Sequence, residues 1–232
     1  MGCVSSYQIV VDAKRTSKAK APAWAEISVP VPCKDGSFDV LKGLGKGKFG
    51  VVFLGQHLGT KKFYALKYIA KNIVHETQAF GRIQQEVNVL QSMDHPFILR
   101  YFGGFENEGA IVLVTDFCVG GELYTRMKQD FKMPEGVAKF YAAEIASALH
   151  YLHDTMQVVY RDLKPENVLI DSQGHVKLCD MGFAVAYSGG GGSVSSGKEP
   201  DGFLNDNCGT AMYVAPEIAS GGKGAHGFPV DW

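Results

Sequence analysis

The sequence lacks the features that mark membrane-spanning, nucleic-acid-binding and disulfide-stabilised proteins. No apolar stretch approaches the roughly 18 residues that a spanning helix needs, and the N-terminus lacks the apolar core of a secretory signal. The formal net charge is -1, from 23 basic and 24 acidic residues, so no global field attracts nucleic acid or a membrane. The five cysteines are odd in number and form no CxxC pair, which disfavours a disulfide framework and a zinc site. A reducing, cytoplasmic location is predicted.

The composition is that of a globular protein, with 232 residues that are 46% hydrophobic and 20% charged. We interpret residues 1–36 as a flexible tether, because Lys, Ala, Ser and Pro mix there without periodicity. An ordered domain is predicted over 37–232, with a strand-rich lobe at 37–117 and a mainly helical lobe at 118–232. Residues 188–207 are rich in glycine and poor in apolar side chains, which predicts a mobile loop.

Hydrophobic periodicity indicates the elements of both lobes. Segments 63–69 and 110–117 are strand-like, and a glycine-punctuated hairpin runs from Leu41 to Leu54. A first helix, ending before His95, is predicted from apolar residues spaced three or four apart: Phe80, Ile83, Val87, Leu90 and Met93. A second helix begins at Pro134, and its apolar stripe comprises Val137, Phe140, Tyr141, Ile145, Ala148, Leu149 and Leu152. The predicted fold class is therefore α+β, a small antiparallel sheet with one helix followed by a helical lobe.

The first residues resemble an acylation signal. Glycine is second and serine sixth, as an N-myristoylation acceptor requires, and Cys3 is a candidate for palmitoylation. One myristoyl chain gives only marginal membrane binding, and a second signal is available in Cys3 or in the basic cluster Lys14, Arg15, Lys18 and Lys20. Lipidation at Gly2 and Cys3 therefore predicts attachment to the cytosolic face of a membrane. The alternative is an unmodified N-terminus with a solvated basic cluster.

The run from Tyr160 to Asn167 reads as a catalytic loop for phosphoryl transfer from a nucleotide. Asp162 is placed to accept the proton of a substrate hydroxyl, Lys164 to neutralise the moving phosphoryl group, and Asn167 to hold a metal ion between phosphates. A charged surface loop is the alternative, since Asp, Lys and Asn are all frequent in turns.

A GxGxxG pattern spans residues 45–50. Alone it is weak evidence, because dinucleotide-binding folds share it. In those folds a helix follows the glycines, whereas here Val51 to Leu54 continue as a strand. The glycines therefore lie in a hairpin that can approach phosphates closely, since no side chain blocks the backbone.

Lys67 lies in the strand that follows the hairpin, and Glu86 lies in the first helix. A buried lysine needs an anion, and pairing with Glu86 would orient its ammonium group toward the phosphates of a nucleotide. The alternatives are an exposed edge-strand lysine and a solvated helix carboxylate. Further along, Asp180 precedes Gly182 and could chelate magnesium opposite Asn167.

Together these residues resemble the eukaryotic protein kinases. The patterns GxGxxGxV, AxK, a helix Glu, YRDxKxxN, DxG and APE each occur once and in the family's order, the last at 215–217. Tyr160 before Arg161, the run at 140–144 and Cys208-Gly209-Thr210 are similar to the AGC group of serine/threonine kinases.

The resemblance implies a bilobal fold that binds ATP and Mg²⁺ and acts on protein substrates. The implied catalytic residues are Asp162, Lys164, Lys67, Glu86 and Thr210, and the implied metal ligands are Asn167 and Asp180. The implied ATP-binding residues are Leu44, Gly45, Lys46, Gly47, Lys48, Phe49, Gly50, Val51, Val52, Ala65, Lys67, Thr115, Asp116, Cys118 and Glu122. Glu122 and Glu166 correspond to residues that bind an arginine upstream of the phosphorylated Ser or Thr, which implies substrates with nearby Arg or Lys.

The chain departs from the family pattern in its activation loop. Met181 replaces the usual phenylalanine, and the glycine-rich insertion at 188–207 lengthens the loop. Asp206 occupies the place of a phosphorylated threonine, so we hypothesise that it pairs with Arg161. The alternative is an unpaired aspartate, with phosphorylation at Ser193, Ser195 or Ser196 instead.

The last residues, Pro229 to Trp232, resemble the start of the long central helix of the kinase fold. Asp231 is then the residue that supports the catalytic loop, and its helix and the arginine that pairs with Glu217 are expected to be missing. A truncated helical lobe would leave the stripe of the second helix partly uncovered. The resemblance therefore predicts a serine/threonine kinase, and the alternative is a kinase-like protein that binds nucleotide or a partner without turnover.

Overall fold

The computed structural model describes residues 33–46, 50–77, 80–129, 132–187, 208–219 and 227–232. Its strands are β1 Phe38–Lys46, β2 Gly50–His57, β3 Phe63–Ala70, β4 Tyr101–Glu106, β5 Ala110–Asp116, β6 Gly121–Glu122, β7 Val158–Val159, β8 Val168–Ile170, β9 Val176–Leu178 and β10 Val185–Ala186. Its α-helices are α1 Lys71–Glu76, α2 Phe80–Gln91, α3 Leu123–Gln129, α4 Glu135–His150 and α5 Pro216–Ala219. Tyr151–Thr155 form a π-helical turn, and Pro165–Asn167 and Phe228–Asp231 form 3-10 turns. None of the described helices is long and apolar enough to cross a membrane.

The N-terminal half is built around one antiparallel sheet, with strand order β1-β2-β3-β5-β4. Strand β5 explains the sheet's two apolar faces, because successive side chains of a strand point to opposite sides. Ile111 and Leu113 pack in the cluster that contains residues of α1 and α2, whereas Val112 and Val114 pack on the other face. The small antiparallel sheet predicted from the sequence is thus confirmed.

Helix α2 lies against one face of this sheet. Ile83 and Val87 are buried there as the periodicity predicts, and Leu90 reaches into the core of the C-terminal half. Phe80 was assigned to the same buried stripe, and that assignment is wrong. Its side chain is 52% exposed and borders an open cavity of about 560 Å³ beside Val74. Phe80 is the first residue of α2, at the end of the helix that borders this cavity.

The C-terminal half is mainly helical, with α4 as its longest helix. Ala148 and Leu149 of the predicted stripe are buried in a core shared with the β8–β9 hairpin. Val137 and Phe140, nearer the start of α4, are exposed in the described structure. The stripe is therefore covered only along its C-terminal part, as was expected. Helices and small sheets combine here as the predicted α+β class requires.

The chain between α4 and β9 positions the polar residues that the sequence singled out. The π-helical turn prolongs α4, and a short loop then leads from β7 through the 3-10 turn Pro165–Asn167 to β8. Tyr160 and Val168 are buried and anchor the two ends of this loop in the core. The polar residues between them are consequently held at a fixed place on the molecule.

Candidate active site

The first part of the site is an ion pair between β3 and α2. In the sheet register Lys67 lies opposite Leu113 of β5, on the face that α2 covers. Its Nζ donates to Glu86 Oε1 at 2.6 Å, and Glu86 is only 6% exposed. Burial alone would lower the pKa of Lys67, but the charges of Glu86 and Asp180 outweigh it, and the pKa is raised. The predicted pairing is formed, and the alternative of an edge-strand lysine is wrong, because β3 lies between β2 and β5.

The glycine-rich segment connects β1 and β2 next to this ion pair. Gly45 pairs with Val52 and Lys46 with Val51 across the hairpin, while Val52 also lies opposite Lys67. Of the implied ATP-binding residues, Gly47, Lys48 and Phe49 lie outside the described residues. Gly50 is required by close packing, since a Cβ there would lie 1.9 Å from the carbonyl oxygen of the β3 residue Tyr68. The predicted continuation as a strand after the glycines is confirmed.

The segment after β5 joins the two halves of the chain. Ala65 and Thr115 are register partners at the end of the sheet, and Thr115 is buried. Asp116 Oδ2 accepts a hydrogen bond from the backbone N–H of Arg100 at 3.2 Å, and burial raises the pKa of that carboxyl. Cys118 is buried, and burial raises the pKa of its thiol to about 12. Three of the implied ATP-binding residues, Thr115, Asp116 and Cys118, therefore lie on one short segment that follows Leu113, the register partner of Lys67.

The catalytic loop gathers its polar groups around the Asp162 carboxylate, which is 4% exposed. Oδ1 accepts from the Thr210 hydroxyl at 2.8 Å, and Oδ2 accepts from Lys164 Nζ at 2.7 Å and from Asn167 Nδ2 at 2.8 Å. Lys164 also donates to the Thr210 hydroxyl at 2.7 Å. Such charge-assisted bonds are strong, and they hold four side chains in one arrangement. The alternative of a solvated surface loop is wrong.

Asp231 supports this loop from below, as the resemblance implied. Its Oδ2 accepts from the backbone N–H of Tyr160 at 2.8 Å and its Oδ1 from that of Arg161 at 2.6 Å. His153 Nε2 lies 2.8 Å from Oδ2, and Phe228 packs on the His153 ring with centroids 4.8 Å apart. We expected the helix that carries Asp231 to be missing. Within the described residues the 3-10 turn Phe228–Asp231 presents the carboxylate instead.

Asn167 and Asp180 are brought together by β8 and β9. The backbone N–H of Cys179 donates to the Asn167 carbonyl at 2.9 Å, which places Asp180 directly beside that residue. Asp180 itself has a φ of +57°, a conformation rare outside glycine, and its Oδ1 accepts from the Gly182 N–H at 3.2 Å. A carboxylate and an amide oxygen are the hard oxygen ligands that Mg²⁺ prefers. The donor set fits a magnesium ion, although among the described residues no three His, Cys, Asp or Glu side chains form a metal cluster.

With this geometry in place, comparison with known proteins settles the family. A family model described as the protein kinase domain matches residues 38–232, most of the chain. The chain belongs to the protein kinase family. The predicted bilobal kinase fold is thereby confirmed.

Three curated proteins illustrate where this kinase domain lies within the family. Protein kinase 3 of Dictyostelium discoideum is 42% identical over 196 residues, which are 84% of this chain and 21% of that protein. The serine/threonine-protein kinase Sgk1 of Danio rerio is 40% identical over 200 residues, 86% of this chain and 43% of the relative. The cAMP-dependent protein kinase type 3 of Saccharomyces cerevisiae is 34% identical over 241 residues, 99% of this chain and 56% of the relative. Sgk1 and the cAMP-dependent kinase are of the AGC type, as the resemblance indicated, and the chain spans between a fifth and just over half of these proteins.

Several residues singled out in the sequence are not tested by this geometry. Gly2, Cys3 and the basic cluster lie outside the described residues, as do Asp206 and the serines of the glycine-rich loop. The Arg161 guanidinium donates through Nε to the Phe183 carbonyl at 2.8 Å. Glu122 is exposed in β6, which pairs with β8, and Glu166 lies in the 3-10 turn before β8. Both residues thus lie near β8, the strand at which the loop that carries Asp162 ends.

Sequence reasoning missed some residues of the kinase site. The Tyr160 hydroxyl donates to the Cys179 carbonyl at 2.5 Å, tying the catalytic loop to the chain before Asp180. Cys179 is half-buried beside Asp180, and desolvation raises the pKa of its thiol well above the ordinary value. His153 contacts Asp231 across 78 residues of sequence. Tyr160 was singled out only for its similarity to the AGC group, and no local sequence pattern predicts the contacts of Cys179 and His153.

Proposed function

We propose that this kinase domain transfers the γ-phosphoryl group of ATP to Ser or Thr hydroxyls of protein substrates. The observation that carries the proposal is the network around Asp162, in which one carboxylate oxygen already accepts a hydrogen bond from an alcohol, the Thr210 hydroxyl, at 2.8 Å. A substrate hydroxyl bound in the same way would lose its proton to Asp162 as its oxygen forms a bond to the γ-phosphorus. The bond from that phosphorus to the bridging oxygen breaks, and ADP leaves.

The remaining polar groups suit the other parts of this reaction. Lys164 lies within hydrogen-bond distance of both Asp162 and Thr210, so its charge offsets negative charge on the transferring group. Lys67, held by Glu86, is oriented to bind the phosphates of the nucleotide. Asn167 and Asp180 would hold Mg²⁺, which neutralises phosphate charge when bound. Asp231 fixes the backbone of Tyr160 and Arg161 immediately before the base.

The competing function is nucleotide or partner binding without turnover. It was suggested by the expected loss of support beneath the catalytic loop. The contacts of Asp231 with two backbone N–H groups favour the enzyme, because the support is made within the 232 residues.

The test is phosphoryl transfer from labelled ATP to an arginine-containing serine peptide by the purified 232-residue chain. Asp162→Ala is expected to lower the rate about 10²- to 10⁴-fold, because it removes the general base. Glu135→Gln, which removes an exposed carboxylate of α4, is the matched control and keeps the parent rate. Equal rates for the parent and Asp162→Ala would reject the enzyme. Retained ATP binding together with such equal rates would support the function without turnover.

We further propose that acylation of Gly2, supported by Cys3 or the basic cluster, tethers the kinase domain to the cytosolic face of a membrane. The support is the sequence pattern of glycine second and serine sixth, with a second signal adjacent. Gly2→Ala is expected to move the protein from the membrane fraction to the soluble fraction of expressing cells. Cys33→Ala serves as a control that removes a different thiol. An unchanged distribution of Gly2→Ala would contradict the tether.

A further inference from the structure

Helix α3 carries a lysine stacked on an aromatic ring. Tyr124 and Lys128 are four residues apart and therefore share a face of the helix. Lys128 Nζ lies 4.3 Å from the centre of the Tyr124 ring, within the range of a cation–π contact. The lysine is otherwise exposed, so its ammonium group is held over the ring on the surface of the molecule.

A carboxylate with an unused acceptor lies next to this pair. Helix α3 packs against the 3-10 turn Pro165–Asn167, and that turn carries Glu166. Glu166 Oε2 is shielded from solvent and has no hydrogen-bond partner among the described residues. The pKa of Lys128 is raised mainly by its interaction with Tyr124 and further by the charge of Glu166. The lysine therefore interacts electrostatically with this carboxylate but donates no hydrogen bond to Oε2.

The shape of this site suits a guanidinium group better than an ammonium group. A guanidinium is planar, so it stacks on an aromatic ring, and it still presents several N–H donors at its edge to a carboxylate. An ammonium group is a compact point charge whose contact with the ring does not extend to Oε2 here. Glu122, exposed on the adjacent strand β6, adds a second negative charge near the entrance of α3.

The family resemblance already assigns Glu166 to a substrate arginine; we propose that the Tyr124 ring forms part of that site and that Lys128 is a built-in competitor which the arginine displaces. The inference rests on the proposed kinase function. It adds to that function the Tyr124 ring, which stacks on the arginine, and the Lys128 ammonium group, which sets how strongly arginine is preferred. Removing Lys128 should therefore raise the preference for arginine, whereas removing an exposed lysine elsewhere on the surface should not.

The experiment measures binding of fluorescent serine peptides to the 232-residue chain by anisotropy. Peptides carry a single arginine moved along the sequence upstream of the serine, and each is matched by its alanine counterpart. The arginine preference is the ratio of the two dissociation constants. Lys128→Ala is expected to raise this ratio about two- to fivefold at one arginine position, and Tyr124→Leu to lower it by a similar factor. Tyr124→Leu in the Lys128→Ala background should abolish the gain, because the freed ring is then missing.

The matched control is Lys139→Ala, which removes an exposed positive charge from α4. A general charge effect would raise the ratio equally in Lys139→Ala and Lys128→Ala, and that result would overturn the proposal. A parent chain with no arginine preference, or an unchanged or lower ratio in Lys128→Ala, would also overturn it.

Phosphoryl transfer by the parent, measured separately, distinguishes the two proposals. The expected ratios without any transfer would leave the arginine site standing and reject the enzyme. Normal transfer with unchanged ratios would reject only the arginine site.

Discussion

Replacing Asp231 by Asn removes the charge beneath the catalytic loop while keeping the shape of the side chain. The carboxylate is 4% exposed and accepts from the N–H groups of Tyr160 and Arg161 at 2.8 and 2.6 Å. An Asn side chain has one acceptor oxygen and one NH₂ group, so one of the two buried N–H groups loses its partner. Hydrogen bonds to a charged group contribute about 1.5–3 kcal/mol, and an unsatisfied buried donor costs about 1–3 kcal/mol.

From these values Asp231→Asn is expected to lower the free energy of unfolding by about 2–4 kcal/mol. For a domain of this size each kcal/mol corresponds to about 2–4 °C in Tm, so the melting temperature should fall by about 4–16 °C. Asp162 follows Arg161 directly, so a loosened Arg161 backbone should displace Asp162. That displacement should lower kcat about 10- to 100-fold, with a smaller change in the KM for ATP. Thermal melting followed by fluorescence and steady-state kinetics with ATP and Mg²⁺ measure the two effects.

Asp154→Asn is the matched control. Asp154 also contacts a histidine, His150, at 3.1 Å, but both side chains are largely exposed. A surface change of this kind is expected to alter stability by no more than about 0.5 kcal/mol. Melting temperatures of the two variants within about 1 °C of each other would refute the assignment of Asp231 as the support of the loop.

Two further predictions concern β2 and the first described residue. Gly50→Ala is expected to cost about 1–3 kcal/mol and to weaken ATP binding, because the new Cβ meets the Tyr68 carbonyl at 1.9 Å, whereas Gly43→Ala has open space and serves as control. Thermal melting and nucleotide titration compare the two variants, and indistinguishable behaviour would contradict the steric argument. Burial raises the pKa of Cys33 from 9.0 to about 11, so at pH 8 its alkylation by iodoacetamide should be about 100-fold slower than in urea and should accelerate up to about pH 11. Mass spectrometry follows the reaction, and equal rates in buffer and urea at pH 8 would disprove the shift.

Much of the fold was predictable because the local patterns agree with the tertiary structure. The continuous apolar run at 110–114 matches a strand buried on both faces, as β5 is, and the helical spacing of Ile83 and Val87 matches the buried side of α2. The pair Lys67–Glu86 was predictable for a related reason. A lysine in a buried strand needs an anion, and Glu86 lies on α2, the second helix after that strand.

Other features were not predictable, because they depend on which distant segments meet. Phe80 fits the helical spacing but lies at the open end of the helix, where exposure is decided by neighbouring elements rather than by period. The contact of His153 with Asp231 and the partial burial of Cys179 likewise depend on tertiary packing. Lys128 lies on α3, whose relation to Glu166 is fixed only when α3 packs on the 3-10 turn.

The bonds of Asp231 also bear on the order in which the molecule folds. They join positions 70 and 71 residues apart, whereas the β2–β3 hairpin closes a loop of only a few residues. By the logarithmic dependence on loop length, bringing the ends of the longer loop together costs about 2 kcal/mol more. The β1–β2, β2–β3 and β4–β5 hairpins can therefore form from local contacts, while the backbone of Tyr160 and Arg161 is fixed only when the 3-10 turn Phe228–Asp231 docks. The catalytic base thus reaches its final position late in folding, after most of the surrounding structure is present.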